Sequence, residues 1–165
     1  MTESHPSCFE MVGEFHQVFQ HPIHTSPQFN IFDQHQLLQM RLNLIKEEVK
    51  ELEEAIEKND FEEVVDALCD IQYVTHGFAH VIGINLDRHF KHVHECNMTK
   101  VCQTEKEAQE TLEEYKSNSK YSNPCYEKRG NYYVVFDHQS IHKSECKILK
   151  NKHWKQPNHL KLFQQ

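Results

Sequence analysis

The sequence predicts an all-α fold: an antiparallel helical bundle followed by a small C-terminal β-hairpin. Three observations carry that prediction. Apolar residues recur at i, i+3 and i+4 through Leu38, Leu42, Ile45, Val49, Leu52 and Ile56, and again through Val64, Leu68, Ile71, Val74, Phe78 and Ile82, which is the period of a helix with one packed face. Residues suited to capping stand at the ends of both stretches. Only near the C-terminus, at "NYYVVFDHQ", does the chain turn to strand-forming residues.

In chain order, residues 1–32 read as an irregular segment broken by Pro6, Pro22 and Pro27, with a short helical turn within "FHQVFQHPIHTSP". Asp33 is a plausible N-cap for the first long helix, which ends at "EKND". Asp60 can cap a second helix over 61–82, and Gly83 closes it as a C-terminal glycine does. "INLDRHFKHVHECNMTK" reads as a third helix, with His89, His92 and His94 on a polar face. "TEKEAQETLEEYKSN" reads as a fourth, opened by a capping box of Thr104 with Glu107. "SNPCYEKRG" reads as a loop, and "KILKN" as the strand partner of "NYYVVFDHQ". The organisation is thus an N-terminal segment 1–32, a helical core 33–118 and an extension 119–165.

Composition narrows the function classes. The chain has 165 residues, 38% hydrophobic and 26% charged. Its apolar stretches are short and interrupted by charge, so none spans a bilayer, and the N-terminus lacks a secretory pattern. A cytoplasmic location is the expectation, with six reduced cysteines and no CxxC pair. The net charge of −7 is uneven. Residues 1–127 hold 10 Lys/Arg against 23 Asp/Glu, whereas residues 128–165 hold 8 against 2. The acidic main part argues against a nucleic-acid surface.

"IKEEVKELEEA", residues 45–55, carries five glutamates. Each helical residue turns about 100°. With Ile45, Val49, Leu52 and Ile56 at the stripe centre, Glu48 falls on the packing side with Leu44, Ala55 and Arg41. Glu51 lies at the edge and Glu47 further round, while Glu53, Glu54 and Glu57 face outward. On the second helix Asp70 and Glu63 flank the stripe, and Asp66 lies slightly outside. An antiparallel pair brings the two acidic seams opposite each other. Such carboxylates need protonation, a cationic partner such as Arg41, or a divalent ion. Oxygen-only ligands at i, i+3 and i, i+4 spacing favour a hard ion. The alternative is a charged helix pair with salt bridges.

"RLNLIKEEVKELEEAI", "DALCDIQYVTHGFAHVIG" and "HECNMTK" together resemble the all-α nucleoside-triphosphate pyrophosphohydrolases, the superfamily of the MazG-like enzymes and dimeric dUTPases, and most closely its phosphoribosyl-ATP pyrophosphohydrolase-like branch. The resemblance covers residues 11–102. It implies Mg²⁺, with Mn²⁺ as substitute, held by the EExxE acids Glu47, Glu48 and Glu51 and by Asp66 and Asp70. Many members have ExxD on the second helix; here Ala67 stands three before Asp70, so Asp66 or Glu63 has to complete the set. It implies hydrolysis of a nucleoside triphosphate, a dNTP or a modified NTP, to monophosphate and pyrophosphate, in nucleotide-pool sanitation. Glu47 is the candidate base, or a further ligand. Asn97 and Lys100 resemble substrate-binding positions, Phe15 and His16 resemble a base-side loop, and Tyr73 can stack on the base. Arg41 is placed to pair with a carboxylate or touch substrate, and Lys147 and Lys150 to reach phosphates. A homodimer or homotetramer is the family habit. The alternatives are phosphoribosyl-ATP hydrolysis, a nucleotide binder without catalysis, and a helical adaptor.

Overall fold

The computed structural model describes residues 5–118, 120–138 and 146–163. It is mostly helical, with five α-helices and a three-stranded antiparallel sheet among the described residues. The chain divides into two compact units, Met1–His89 and Phe90–Gln165.

The first unit opens with a helix where the prolines suggested irregular chain. α1 spans Cys8–Val18 and begins with a full capping box: Ser7 Oγ accepts the Glu10 N–H at 3.2 Å, and Glu10 Oε2 accepts the Ser7 N–H at 2.8 Å. That S-x-x-E signature was present in the sequence, and Pro6 lies outside it, where a proline costs the helix nothing. Asp33 belongs to a 3-10 turn, Ile31–Asp33, and caps nothing. α2 follows as His35–Lys58, with Gln34 at the N-cap and no side-chain cap bond.

α2 and α3 (Phe61–Ile82) form a tight antiparallel hairpin. Asn59, left-handed at φ 56, ends α2, and Asp60 caps α3 by accepting the Glu62 and Glu63 N–H groups at 3.1 and 3.2 Å. Gly83, at φ 71, ends α3 as expected. The packed faces differ from the apolar stripes. On α2 the inner line runs through buried Arg41 and Ala55 with half-buried Glu48 and Leu52; on α3 it runs through Ala67, Asp70, Val74 and Gly77. Val49, Ile56 and Leu68 are exposed, by 41%, 59% and 48%. Volume usually marks the core, which is why the bulky stripe points to the wrong centre. Here small residues let the two backbones approach, and the stripes are split, with Leu52 and Val74 half-buried on the inner line and Val49, Ile56 and Leu68 outside it.

α1 lies against α3. Gly13 makes this possible, since a Cβ there would stand 3.0 Å from the His80 ring. His80 Nε2 bonds the Phe9 carbonyl at 2.9 Å, and the two rings stack at 3.9 Å between centroids. The chain after α1 is tied to α3 by His24 N–H on the His80 carbonyl and Gln28 N–H on the Ile82 carbonyl, both at 3.0 Å.

α4, Leu86–Met98, carries the division between the units. Its histidines are not one polar face: His89 is buried, and half-buried His92 accepts the Asn158 N–H through Nε2 at 3.1 Å. In the second unit α5, Glu105–Lys116, packs on the sheet. Thr104 Oγ1 accepts the Glu107 N–H, and the Glu107 carboxylate accepts the Gln103 N–H. The segment read as a loop contains strand β1, Pro124–Arg129, which pairs with β2, Tyr132–Asp137, from Pro124↔Asp137 to Arg129↔Tyr132. Gly130 at φ 60 makes the turn, a torsion that strand-matching hairpin turns require. β3, Lys147–Ile148, pairs with β2 as the sequence suggested, so the hairpin becomes a sheet of order β1-β2-β3. Cys102, Ala108, Leu112, Val135 and Leu149 form this unit's core. All six cysteines are free thiols. Among the described residues, no helix is long and apolar enough to cross a membrane.

Candidate active site

The hairpin brings the acids of both helices together. Burial pushes the Glu48 carboxyl above its ordinary pKa, and Glu51, Asp70, Glu47 and Asp66 add to the rise in that order. Five carboxylates from two helices therefore share one electrostatic neighbourhood. Glu48 and Asp70 are half-buried on the inner line; Glu47, Glu51 and Asp66 are exposed beside it. Glu63 is exposed in the first turn of α3. Two of the three α2 lysines are engaged elsewhere: Lys50 and Lys58 both pair with Glu54.

The donor chemistry suits a hard divalent cation, being oxygen-only and arranged at helical spacing. The raised proton affinity of Glu48 comes first from burial and then from the neighbouring carboxylates, and a bound cation would relieve the second of these. Among the described residues, no group of three or more His, Cys, Asp or Glu side chains is gathered tightly enough to hold a metal ion. The carboxylates would have to turn inward to converge on one.

Arg41 does not pair with this seam. It is 5% exposed, makes no ion pair with any described residue, and its Nε is buried without an acceptor. It lies two helical turns from Glu48, beside Gly77. There a Cβ would stand 3.4 Å from Arg41 Nη1 and 2.9 Å from His16 Nε2. Phe15 and His16 sit on α1 and not on a loop. His16 is 2% exposed and its Nδ1 lies 3.0 Å from the Pro22 carbonyl oxygen. Burial holds the His16 pKa below its ordinary value; Arg41, His80 and His21 lower it further, while the bond to Pro22 raises it. Tyr73 is partly exposed and meets Phe15 edge-on at 5.4 Å. It lines an apolar groove of about 240 Å³ between α1 and α3 with Cys8, Met11, Cys69, Gln72 and His76.

Asn97 and Lys100 belong to the second unit. Asn97 is exposed in the last turn of α4, and half-buried Lys100 follows it, its N–H bonded to the Asn97 carbonyl at 3.0 Å. Lys147 and Lys150 rest on aromatic faces, Tyr121 at 5.6 Å and Trp154 at 3.5 Å. Sequence reasoning missed His80 and Gly77. Neither carries a one-dimensional signal, because their roles come from the docking of α1.

A family model for phosphoribosyl-ATP pyrophosphohydrolase matches residues 12–97, more than half of the chain and the whole of the acidic hairpin. The chain belongs to the phosphoribosyl-ATP pyrophosphohydrolase family. That family lies within the MazG-like all-α pyrophosphohydrolases, which act on acid anhydrides and are typically metal-dependent. This family member is also 49% identical over 80 residues to an uncharacterised protein of Acanthamoeba polyphaga mimivirus. The match covers 48% of this chain and 32% of the relative, so the chain spans about a third of the length of the curated protein it matches.

Proposed function

We propose that the acidic hairpin is the active site of a divalent-cation-dependent pyrophosphohydrolase. It cleaves a nucleoside triphosphate, a dNTP or a modified NTP, to monophosphate and pyrophosphate in nucleotide-pool sanitation. The observation that carries this reading is the Glu48 neighbourhood: a half-buried carboxyl surrounded by four others from two helices, with no lysine or arginine among the described residues offsetting their charge at Glu48. Glu48, Glu51, Asp66 and Asp70 would hold Mg²⁺ or Mn²⁺. When bound, such an ion neutralises the triphosphate and acidifies a water. Glu47, exposed at the seam's edge, would accept that water's proton. Tyr73 and Phe15 form an aromatic corner beside the apolar groove, suited to stacking a base. Asn97 and Lys100 would serve the sugar and phosphates. Exposed Val49, Ile56, Phe61 and Leu68 suit packing against a second copy, in a dimer or tetramer. The family match favours one second reading, in which phosphoribosyl-ATP is the substrate.

The test is pyrophosphate release from a panel of NTPs, dNTPs, modified nucleotides and phosphoribosyl-ATP, with Mg²⁺, with Mn²⁺ and with EDTA. Metal-dependent release that Asp70→Asn and Glu48→Gln abolish is expected, and the preferred substrate decides between the two readings. No release from any substrate by folded protein would sink both.

A further inference from the structure

The groove between α1 and α3 has a lining unlike that of the acidic seam. Cys8, Met11 and Val12 line it from α1, and Cys69, Gln72, Tyr73 and His76 from α3. Among the described residues no Lys, Arg, Asp or Glu lines it. Met11 brings a polarisable thioether, which makes favourable contacts with aromatic rings, and the two thiols act as small apolar groups. Tyr73 adds an aromatic wall and is braced by Phe15 in a T-shaped contact at 5.4 Å. Burial holds the His76 pKa below its ordinary value, so that wall is uncharged at neutral pH, and its Nδ1 is buried without a partner. A polar atom left in that state is costly. Cys8, Met11, Cys69, Gln72 and Tyr73 are exposed, so the groove is open to a ligand.

Size and continuity narrow the occupant. A pocket for a drug-sized ligand measures about 300–1,000 Å³. At about 240 Å³ the groove takes a ring system and leaves the rest of a nucleotide outside. Cys69 is shared with a second, larger depression of about 500 Å³, completed by Phe61, Glu62, Glu63, Val65 and Asp66. Asp66 in turn belongs to the carboxylate neighbourhood of Glu48. The apolar groove and the acids of α3 are therefore neighbours across one side chain.

We infer that the α1–α3 groove is a pocket for the flat aromatic base of a nucleotide, laid against Tyr73 and Met11, with the sugar and phosphates passing Cys69 toward Asp66 and the seam. This rests on the nucleotide reading above. An uncharged lining fits a neutral ring, the thioether and the tyrosine favour an aromatic one, and Gln72 offers an amide donor and acceptor to its edge.

The experiment is thiol alkylation of the full chain by iodoacetamide in EDTA, followed peptide by peptide, with and without nucleosides of each base. Cys8 and Cys69 are exposed, whereas Cys125 and Cys146 are half-buried in the second unit and serve as controls. A nucleoside is expected to slow labelling of both groove thiols by about tenfold near saturation and to leave the controls alone, and ribose 5-phosphate to protect neither. Met11→Trp, which fills the groove, and Tyr73→Ala, which removes its aromatic wall, should each lose the protection; both positions are exposed, and thermal melts within a few degrees of the wild type are expected. The nucleoside that protects at the lowest concentration names the base. No protection by any nucleoside, protection that survives Met11→Trp, or equal protection by ribose 5-phosphate would each overturn the inference. So would slow labelling of both thiols that depends on protein concentration and not on nucleoside, which would assign the groove to a second copy of the chain. No metal and no turnover enter the assay: protection without pyrophosphate release leaves the pocket standing and removes the hydrolase, and release without protection does the reverse.

Discussion

Replacing Gly77 with alanine sets two effects of opposite sign against each other. Alanine is the better helix former by about 1 kcal/mol at an interior position, so propensity alone predicts stabilisation. The added methyl would lie 2.9 Å from His16 Nε2 and 3.4 Å from Arg41 Nη1. A flexible neighbour could retreat cheaply, but His16 cannot. It is 2% exposed and pinned through Nδ1 to the Pro22 carbonyl at 3.0 Å. Overpacking of this kind costs about 1–3 kcal/mol, and breaking the Pro22 bond adds about 1 kcal/mol. The clash wins by roughly 1–3 kcal/mol, which corresponds to a fall in melting temperature of about 5–15 °C for a unit of this size. The assay is a thermal melt of Gly77→Ala beside His16→Ala and the double variant. In the double variant the methyl meets no ring, so the penalty of Gly77→Ala should largely vanish. A Gly77→Ala protein that melts above the wild type, or equal penalties in both backgrounds, would refute the packing argument for α1.

Glu48→Gln should raise the melting temperature in EDTA by several degrees, since each like-charge neighbour costs about 0.2–0.5 kcal/mol and Glu48 has four. A carboxyl raised in the folded state binds its proton more tightly than in the unfolded chain, so metal-free wild type should gain stability as pH falls through the raised Glu48 pKa, and the variant should lack that gain. Added Mg²⁺ should stabilise the wild type more than the variant, as melts at several metal concentrations would report. His16 has the opposite linkage: its folded pKa is depressed, so its contribution is present above the unfolded value of about 6.5 and lost as pH falls below it. Hydrogen exchange should therefore show α1 losing protection between pH 7.5 and 5.5 before α2 and α3 do. Ser7→Ala removes one half of the α1 capping box, and should cost about 1 kcal/mol and raise exchange at the first turn of α1 alone.

The long helices and their joint were legible because each residue there reports on its own neighbours. Asp60 and Gly83 mark turns by local chemistry, and the i, i+3, i+4 pattern needs only the chain itself. The acidic seam was legible for the same reason, since rotation about a helix axis places Glu48 and Asp70 inward whatever packs on them. The offset of the stripe was not legible. Hydrophobic bulk marks a face that is buried somewhere, and in this chain Val49, Ile56 and Leu68 are the exposed ones. α1 was hidden because Pro6, Pro22 and Pro27 mark breaks locally, whereas its start is marked by a single Ser7–Glu10 pair. β1 was hidden because "PCYEKR" has little alternation and takes its pairing from β2. The isolation of Arg41 could not be read at all, because a sequence shows which charges exist and not which ones meet.

The joint between α2 and α3 consists of Asn59 in the left-handed conformation and Asp60 as cap. So short a connection leaves no slack, and the phase of one helix against the other is set there. One inserted residue would turn α3 by about 100° relative to its present facing. That would carry Asp70 away from Glu48 and Gly77 away from Arg41 in a single step. The carboxylate seam and the packing around Arg41 thus share one rotational setting, and a change of length at the joint would disturb both at once.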